Sequence, residues 1–289
     1  MKYVIIGGVA AGMSAAMEIY RTDKSAEVTV LERGEHYSYG QCGLPYVIND
    51  VIPSIDNIIV RTAAQFREKY NIDARINTTV TEVDTENQEV HAVQTKTNEA
   101  FKVSYDRLLV ASGADPFMPE WEGVHLEGIH PLKTITDGER LMNDLTEDVK
   151  NVTIVGGGSI GLEMAESFKT RGLGVTLIQR SQQLSEIFDG DMAQHIHQEA
   201  EKEGIQVVLG ENVQGFTGEG RVEKVITEKN QYEADLVLIA IGVRPNTEFM
   251  KKTGIQMLPN GAITVNPYME TSIKNIYAAG DCAAHYHRI

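Results

Sequence analysis

Of the two cysteines in the chain, Cys42 sits in a run that invites chemistry, ERGEHYSYGQCGLPY, and Cys282 does not. A catalytic cysteine acts as its thiolate, a form favoured at a helix N-terminus, and LPYVIND, from Gly43 onward, could be that helix. An isolated cysteine is most often inert packing, so the pentapeptide Ser38-Tyr39-Gly40-Gln41-Cys42 alone leaves both readings open. Two glycine loops are the other candidates. The first, Gly7-Gly8-Val9-Ala10-Ala11-Gly12, departs from G-x-G-x-x-G only at Val9, and the second, Gly156-Gly157-Gly158-Ser159-Ile160-Gly161, is complete. Such loops turn tightly and bring backbone N–H groups up to a pyrophosphate at a helix N-terminus, where the helix dipole favours an anion.

A phosphate loop needs a strand before it and a helix after it. Lys2 to Ile6 is β-rich, Met13 to Tyr20 is helix-compatible, and Val28 to Leu31 is a second strand ending on Glu32, 20 residues beyond Gly12. A carboxylate so placed meets adenosine ribose hydroxyls. Taken singly, this match leaves an ordinary βαβ turn open. The pattern recurs with Val152 to Val155, a helix from Leu162 to about Arg171, and the strand Val175 to Ile178. That strand ends on Gln179-Arg180, with no acid to grip a 2′-hydroxyl. Arg180 either pairs with a 2′-phosphate or is a solvated surface arginine; the first reading points to NADPH, with NADH still possible.

Two dinucleotide sites with different ribose readers imply a flavin and a nicotinamide sharing one active site. Between them, Ala74 to Val83, Val90 to Thr95 and Phe101 to Val103 read as a small meander leading into Leu108 to Ala111. Val207 to Leu209, Val222 to Thr227 and Leu236 to Ile241 are further strands. The fold class is α/β, with two three-layer Rossmann-like domains and β-meander crossovers. Residues 1–114 and 244–289 are assigned to the flavin domain and 115–243 to the nicotinamide domain.

The totals narrow the partners. A chain of 289 residues holds roughly two domains, and 26 Lys+Arg against 41 Asp+Glu leave a net charge of -15, which argues against nucleic acid. Two distant cysteines make no disulfide framework, so a reducing, cytoplasmic compartment is expected. The apolar run after Lys2 could be mistaken for a signal peptide, but the Gly7-Gly8 break reads as a strand turning into a helix. The longest other apolar run, Leu236 to Val243, is far short of the roughly 18 residues of a spanning helix, and no membrane association is expected.

The chain resembles the two-dinucleotide-binding flavoprotein disulfide reductases, whose fold is that of glutathione reductase. Four ordered motifs carry the resemblance over essentially the whole length: the first glycine loop with Glu32, LLVASGADP at 108 to 116, LVLIAIGVRPN at 236 to 246, and TSIKNIYAAGD at 271 to 281. The resemblance implies FAD contacts from Gly7, Gly8, Ala10, Ala11, Gly12, Glu32 and Arg33, joined by Ser112 and Gly113 of the second motif. Gly280 and Asp281 belong to the last motif, whose aspartate would hydrogen-bond the ribityl chain. It implies nicotinamide-nucleotide contacts from Gly156, Gly158, Ser159, Ile160 and Gly161, from Gln179 and Arg180, and from Gly242. Glu163 matches a glutamate near the nicotinamide, and Ser159 replaces a tyrosine that gates that pocket in many relatives.

Dithiol members of the family carry Cys-x4-Cys, but five residues before Cys42 stands Tyr37. Ser38-x3-Cys42 resembles instead the single-cysteine branch: coenzyme A-disulfide reductases, NADH oxidases, NADH peroxidases and persulfide reductases. Its oxidases and peroxidases carry a histidine in the first loop where Ala10 stands here, and SYGQCGLPYVI is most similar to the coenzyme A-disulfide reductases. The implied cycle places Cys42 in a mixed disulfide with coenzyme A, so that the bound thiol supplies the second sulfur. The expected substrate is coenzyme A disulfide or a related small disulfide, the alternatives being NADH oxidase or persulfide reductase chemistry, or a flavin redox sensor.

By the same analogy Arg21, Lys24 and Arg61 are candidates for the coenzyme A phosphates, with Ser38 and Gln41 orienting the sulfur or the pantetheine tail. Cys282 is expected to be a small packed residue. His285-Tyr286-His287 lacks further ligands, and no metal is expected. Relatives continue beyond the position of Ile289 into a dimerisation domain whose partner-subunit tyrosines act as proton donors. The chain is therefore expected to be a fragment of a homodimeric enzyme, with weakened flavin retention and little full turnover by itself.

Overall fold

The computed structural model describes residues 1–285, so Tyr286 and His287 lie outside the described residues. Met1–Gly40, Ile58–Asp115 and Arg244–Ile289 cluster as one unit, and Gln41–Asn57 with Pro116–Val243 as a second. Residues 41–57, assigned from sequence to the flavin domain, thus cluster with the other unit.

In the first unit, five parallel strands run in the order Ile276–Ala278, Arg107–Val110, Lys2–Ile6, Glu27–Leu31 and Asp73–Arg75. The central strand is apolar on both faces, as a covered parallel strand must be. Ile5 packs with Met13, Ala16 and Phe66 on the helical side, while Val4 and Ile6 pack with Val83, Val90 and Ala92 of the antiparallel strands Thr78–Asp84 and Glu89–Gln94. Helix, sheet and meander are the three layers. The single strand read over 74–83 is two: Asp73–Arg75 joins the parallel sheet, and Asn77, at φ +53°, turns the chain into the meander.

In the second unit the parallel order is Gln206–Leu209, Gly174–Gln179, Asn151–Val155, Leu236–Ile239 and Ile129–His130. Its meander contains Val213–Thr217, a strand absent from the sequence reading, with Lys224–Thr227 and Gln231–Glu233.

Two pairs of helix starts differ in how their N–H groups are satisfied. Thr62 and Thr134 close capping boxes at the helices Ala63–Tyr70 and Ile135–Asp144, satisfying orphan N–H groups locally. Helices Ala10–Thr22 and Ser159–Thr170, which follow the glycine loops, start at Val9 and Gly158 with no side-chain cap and no acid in the first turn. Their N–H groups and positive dipole ends are left for an anion.

Candidate active site

The first loop is held open by close backbone contacts. A Cβ on Gly12 would strike the Gly7 carbonyl oxygen, so the helix can approach the strand end only with glycine there, and Gly7 itself turns at φ +108°. Glu32 ties down the loop: its Oε2 accepts from the Gly8 N–H at 2.7 Å and its Oε1 from the Gly34 N–H at 2.7 Å. A cleft of about 100 Å³ opens beside it, lined by Gly7, Glu32, Arg33, Thr78, Ser112 and Phe249 among others. Arg33 is bound bidentately by Asp115, whose carboxylate raises the guanidinium pKa further.

The distant motifs expected to contact a flavin meet this loop within the same unit. A Cβ on Gly280 would lie 3.1 Å from that of Ala11, and the Ala279 N–H donates to Val110 O at 3.0 Å. Ser112 Oγ donates to Asn246 O at 2.6 Å and the Asn246 N–H to Gly113 O at 2.9 Å, which joins the second motif to the third. Asp281 is exposed at the turn after Gly280. Cys282, by contrast, is fully buried, donates to Val110 O at 3.3 Å, and has its thiol pKa pushed up by burial.

The second unit repeats the cradle. Gly156 turns at φ +111°, a Cβ on Gly161 would strike the Gly156 carbonyl oxygen, and Gln179 Oε1 accepts from the Gly157 N–H at 2.9 Å. Around Gly158 nothing lies within 4 Å of where a Cβ would stand, and the same holds at Gly242. That open space fits a nucleotide. Ser159, Glu163 and Arg180 are exposed and Ile160 is half-buried, all on the loop, its helix or the strand end. A larger cleft of about 670 Å³ in this unit is lined by His130, Asp137, Arg140 and Asp144 among others, and none of the residues selected from sequence lines it.

Cys42 is exposed, in the 3₁₀ turn Gln41–Gly43. The helix expected from Gly43 is shorter, Leu44–Ile48, so few aligned peptides stand behind the thiol. Gln41 Nε2 donates to Lys133 O at 3.2 Å. Ser38, at φ +47°, donates its N–H to Gly8 O at 2.8 Å and accepts from the Val60 N–H at 2.8 Å, so its backbone is pinned to the first glycine loop. Tyr37 is 1 % exposed; its hydroxyl lies 2.8 Å from Val30 O and 3.0 Å from Arg75 O, bracing two strands.

The basic residues form a pattern invisible in sequence. Tyr20 and Tyr70 meet edge to face at 5.2 Å, with Lys24 Nζ 3.3 Å from the Tyr20 centroid and the Arg61 guanidinium 5.7 Å from that of Tyr70. Two of the three candidate cations thus converge on one aromatic pair, while exposed Arg21 pairs with Glu18 at 3.1 Å. The tyrosines, 50 residues apart, carried no sequence signal. Among the described residues Asp84, Glu89 and His91 are close enough to share a metal ion, but Asp84 is already engaged in the turn by the N–H groups of Glu86 and Asn87.

The pyridine nucleotide-disulphide oxidoreductase family model matches residues 1–289. The chain belongs to this family. A relative named NADH oxidase, from Methanocaldococcus jannaschii, is 41% identical over 98% of this chain and 63% of its own length. The NAD(P)H coenzyme A polysulfide/persulfide reductase of Pyrococcus horikoshii is 39% identical over 100% of this chain and 64% of its own length. The chain therefore spans less than two thirds of the length of those relatives. Reduced Bacillus anthracis CoADR-RHD superposes at TM-score 0.94 with 31% identity, covering 98% of this chain and 51% of that one. An engineered water-forming NADPH oxidase bound to NADPH superposes at 0.93 with 32% identity, covering 98% and 63%. Among the described residues no helix is long and apolar enough to cross a membrane.

Proposed function

We propose that the chain carries the FAD- and NADPH-binding portion of a coenzyme A-disulfide reductase whose reacting sulfur is Cys42, working as a homodimer in the intact protein. The observation that carries this reading is the state of the two cysteines: Cys42 is exposed and Cys282 is buried and hydrogen-bonded, so no second thiol of the chain is available to Cys42. A disulfide bridging two cysteines is replaced by one between Cys42 and a small thiol.

When bound, the flavin supplies the passage of two electrons from nicotinamide to sulfur. Gly7, Gly12, Glu32, Ser112 and Gly280 would hold it, and Gly156, Gly158, Gly161 and Gln179 the nicotinamide nucleotide. The Cys42 thiolate attacks the substrate disulfide, forming a mixed disulfide and releasing one thiolate, which takes a proton. Two electrons and a proton then release the second thiol and restore the Cys42 thiolate. The Lys24 and Arg61 cations over Tyr20 and Tyr70 suit a phosphorylated adenine nucleotide, since a purine stacks on aromatic faces and phosphates pair with ammonium and guanidinium groups. Coenzyme A has both features.

NADPH is favoured over NADH by Gln179-Arg180-Ser181. The engineered NADPH oxidase had an aspartate replaced by alanine and, at the next two positions, received arginine and serine, the same succession of a neutral side chain, arginine and serine.

The name of the Pyrococcus relative supports a second reading, in which Cys42 accepts sulfur from a persulfide. Weighing the intact protein without reductant tests both. A coenzyme A adduct on Cys42, lost on adding dithiothreitol, supports the disulfide reductase. An adduct of one or more sulfur atoms supports the persulfide reductase, and an oxygenated cysteine would move the assignment to the oxidases.

A further inference from the structure

The segment bearing Cys42 leaves the first unit after Gly40 and re-enters it at Ile58, and its two ends are tied there by the Gly40 N–H to Ile58 O at 2.9 Å. Its body is fastened within the second unit at three places. Gln41 reaches Lys133 O at 3.2 Å. Leu44 is 2 % exposed and packs so closely on Gly138 that a Cβ there would lie 2.9 Å from its Cδ2. The third place is the helix Ser159–Thr170, the one that begins at the second glycine loop.

That helix grips both ends of the five-residue helix Leu44–Ile48. Ser167, 1 % exposed, has its Oγ 3.0 Å from Pro45 O and 2.8 Å from Glu163 O, so its single proton is shared between its own helix and the cysteine segment. Arg171, the residue capping the helix end, donates from Nη1 to Ile48 O at 2.6 Å and to Asp50 Oδ2 at 2.9 Å. Ile48 is the last residue of its helix, where carbonyls lack intrahelical donors, so the guanidinium supplies a partner the short helix cannot. The Asp50 carboxylate is largely exposed and contributes less than the carbonyl bond. A helix of five residues does not persist alone, so what holds Cys42 in place is this external grip.

We propose that Arg171 and Ser167 are positioning residues for Cys42, fixing the thiol-bearing turn to the helix of the nicotinamide-nucleotide loop. The inference rests on Cys42 being the reacting sulfur, as in the proposed function. Each acts through the backbone of the segment that follows Cys42, at Pro45 O and Ile48 O.

The sample for the test is the flavin-loaded intact protein. Arg171→Met removes both hydrogen bonds made by Nη1, Arg171→Lys keeps the charge and an ammonium donor, and Ser167→Ala removes the hydroxyl alone. For Arg171→Met, kcat with coenzyme A disulfide should fall on the order of 10- to 100-fold, the scale of a reacting group displaced by about an ångström. The rate of Cys42 alkylation by iodoacetamide should change by more than about threefold, while flavin reduction by NADPH, which does not need the thiol, stays within about twofold of wild type. Arg171→Lys should recover most of the loss, and Ser167→Ala should show the same pattern more weakly. Wild-type alkylation and turnover in both Arg171→Met and Ser167→Ala would overturn the proposal. So would a loss of flavin reduction in step with turnover, which marks general destabilisation. If coenzyme A disulfide proves no substrate while alkylation still responds as described, the functional reading fails and the positioning role stands.

Discussion

Gln179 holds in the second unit the place that Glu32 holds in the first: each side chain accepts the N–H of the second loop glycine, Gly157 at 2.9 Å and Gly8 at 2.7 Å. The tether is kept and the charge is not. Glu32 anchors its loop with a carboxylate fit to accept from ribose hydroxyls, whereas Gln179 does so with a neutral amide that a 2′-phosphate does not repel.

The first prediction follows from that difference. Arg180→Ala should lower kcat/KM for NADPH by about 10- to 100-fold, the range of one lost charge-assisted hydrogen bond, and leave NADH nearly unchanged. Gln179→Glu should move the preference the same way by adding repulsion. Stopped-flow flavin reduction with each nucleotide measures both, and an NADH preference already present in the wild type would refute the assignment.

Cys42→Ser should abolish turnover of coenzyme A disulfide and leave flavin reduction by NADPH intact, since the hydroxyl is no substitute for a thiolate nucleophile. Comparing steady-state turnover with the reductive half-reaction separates the two. Equal loss of both would place Cys42 outside the sulfur chemistry.

Lys24→Ala and Arg61→Ala should each raise KM for coenzyme A disulfide several-fold, roughly 1 kcal/mol per cation at an exposed aromatic face, with little effect on kcat. A pantetheine disulfide lacking the adenine nucleotide should be indifferent to both changes. Sensitivity to that shorter substrate would assign the cations another role.

Thr153 lies in the central strand Asn151–Val155 at 0 % exposure, and its hydroxyl has no hydrogen-bond partner. Thr153→Val, close in shape, should stabilise the protein by about 1 kcal/mol, because it removes a buried polar group that gains nothing from folding. Urea unfolding gives the difference, and a destabilised variant would show that the hydroxyl has a partner.

His130 Nε2 lies 2.7 Å from Asp144 Oδ2, and burial pushes the imidazole pKa below its ordinary value of 6.5, with Asp144 opposing. A depressed pKa in the folded state means that the unfolded chain binds the proton more readily. The stability tied to His130 is therefore present above about pH 6.5 and is lost as pH falls through the folded value. The urea midpoint of the wild type should fall between pH 7.5 and pH 5.5, and His130→Gln should flatten part of that slope.

Much of this was legible in the amino-acid sequence, because the signals are local. Gly7 to Gly12 with Glu32, and Gly156 to Gly161 with Gln179, announce strand, phosphate turn, helix and strand within about 30 residues each, and backbone sterics leave few other ways to build them. The absence of a cysteine at Tyr37 is likewise a fact of sequence. The short strand Val213–Thr217 and the break at Asn77 escaped because a few residues of β-propensity do not reveal which sheet will pair with them. The convergence of Lys24 and Arg61 on Tyr20 and Tyr70 was equally hidden, since four residues spread over 50 positions meet only when the fold brings the helices of the two tyrosines together. Tertiary structure alone decided the allegiance of Cys42. In sequence it lies inside the half assigned to a flavin by its motifs, but the short helix after it is too weak to stand alone, and it packs where Gly138, Ser167 and Arg171 supply the apolar contact and hydrogen bonds it lacks.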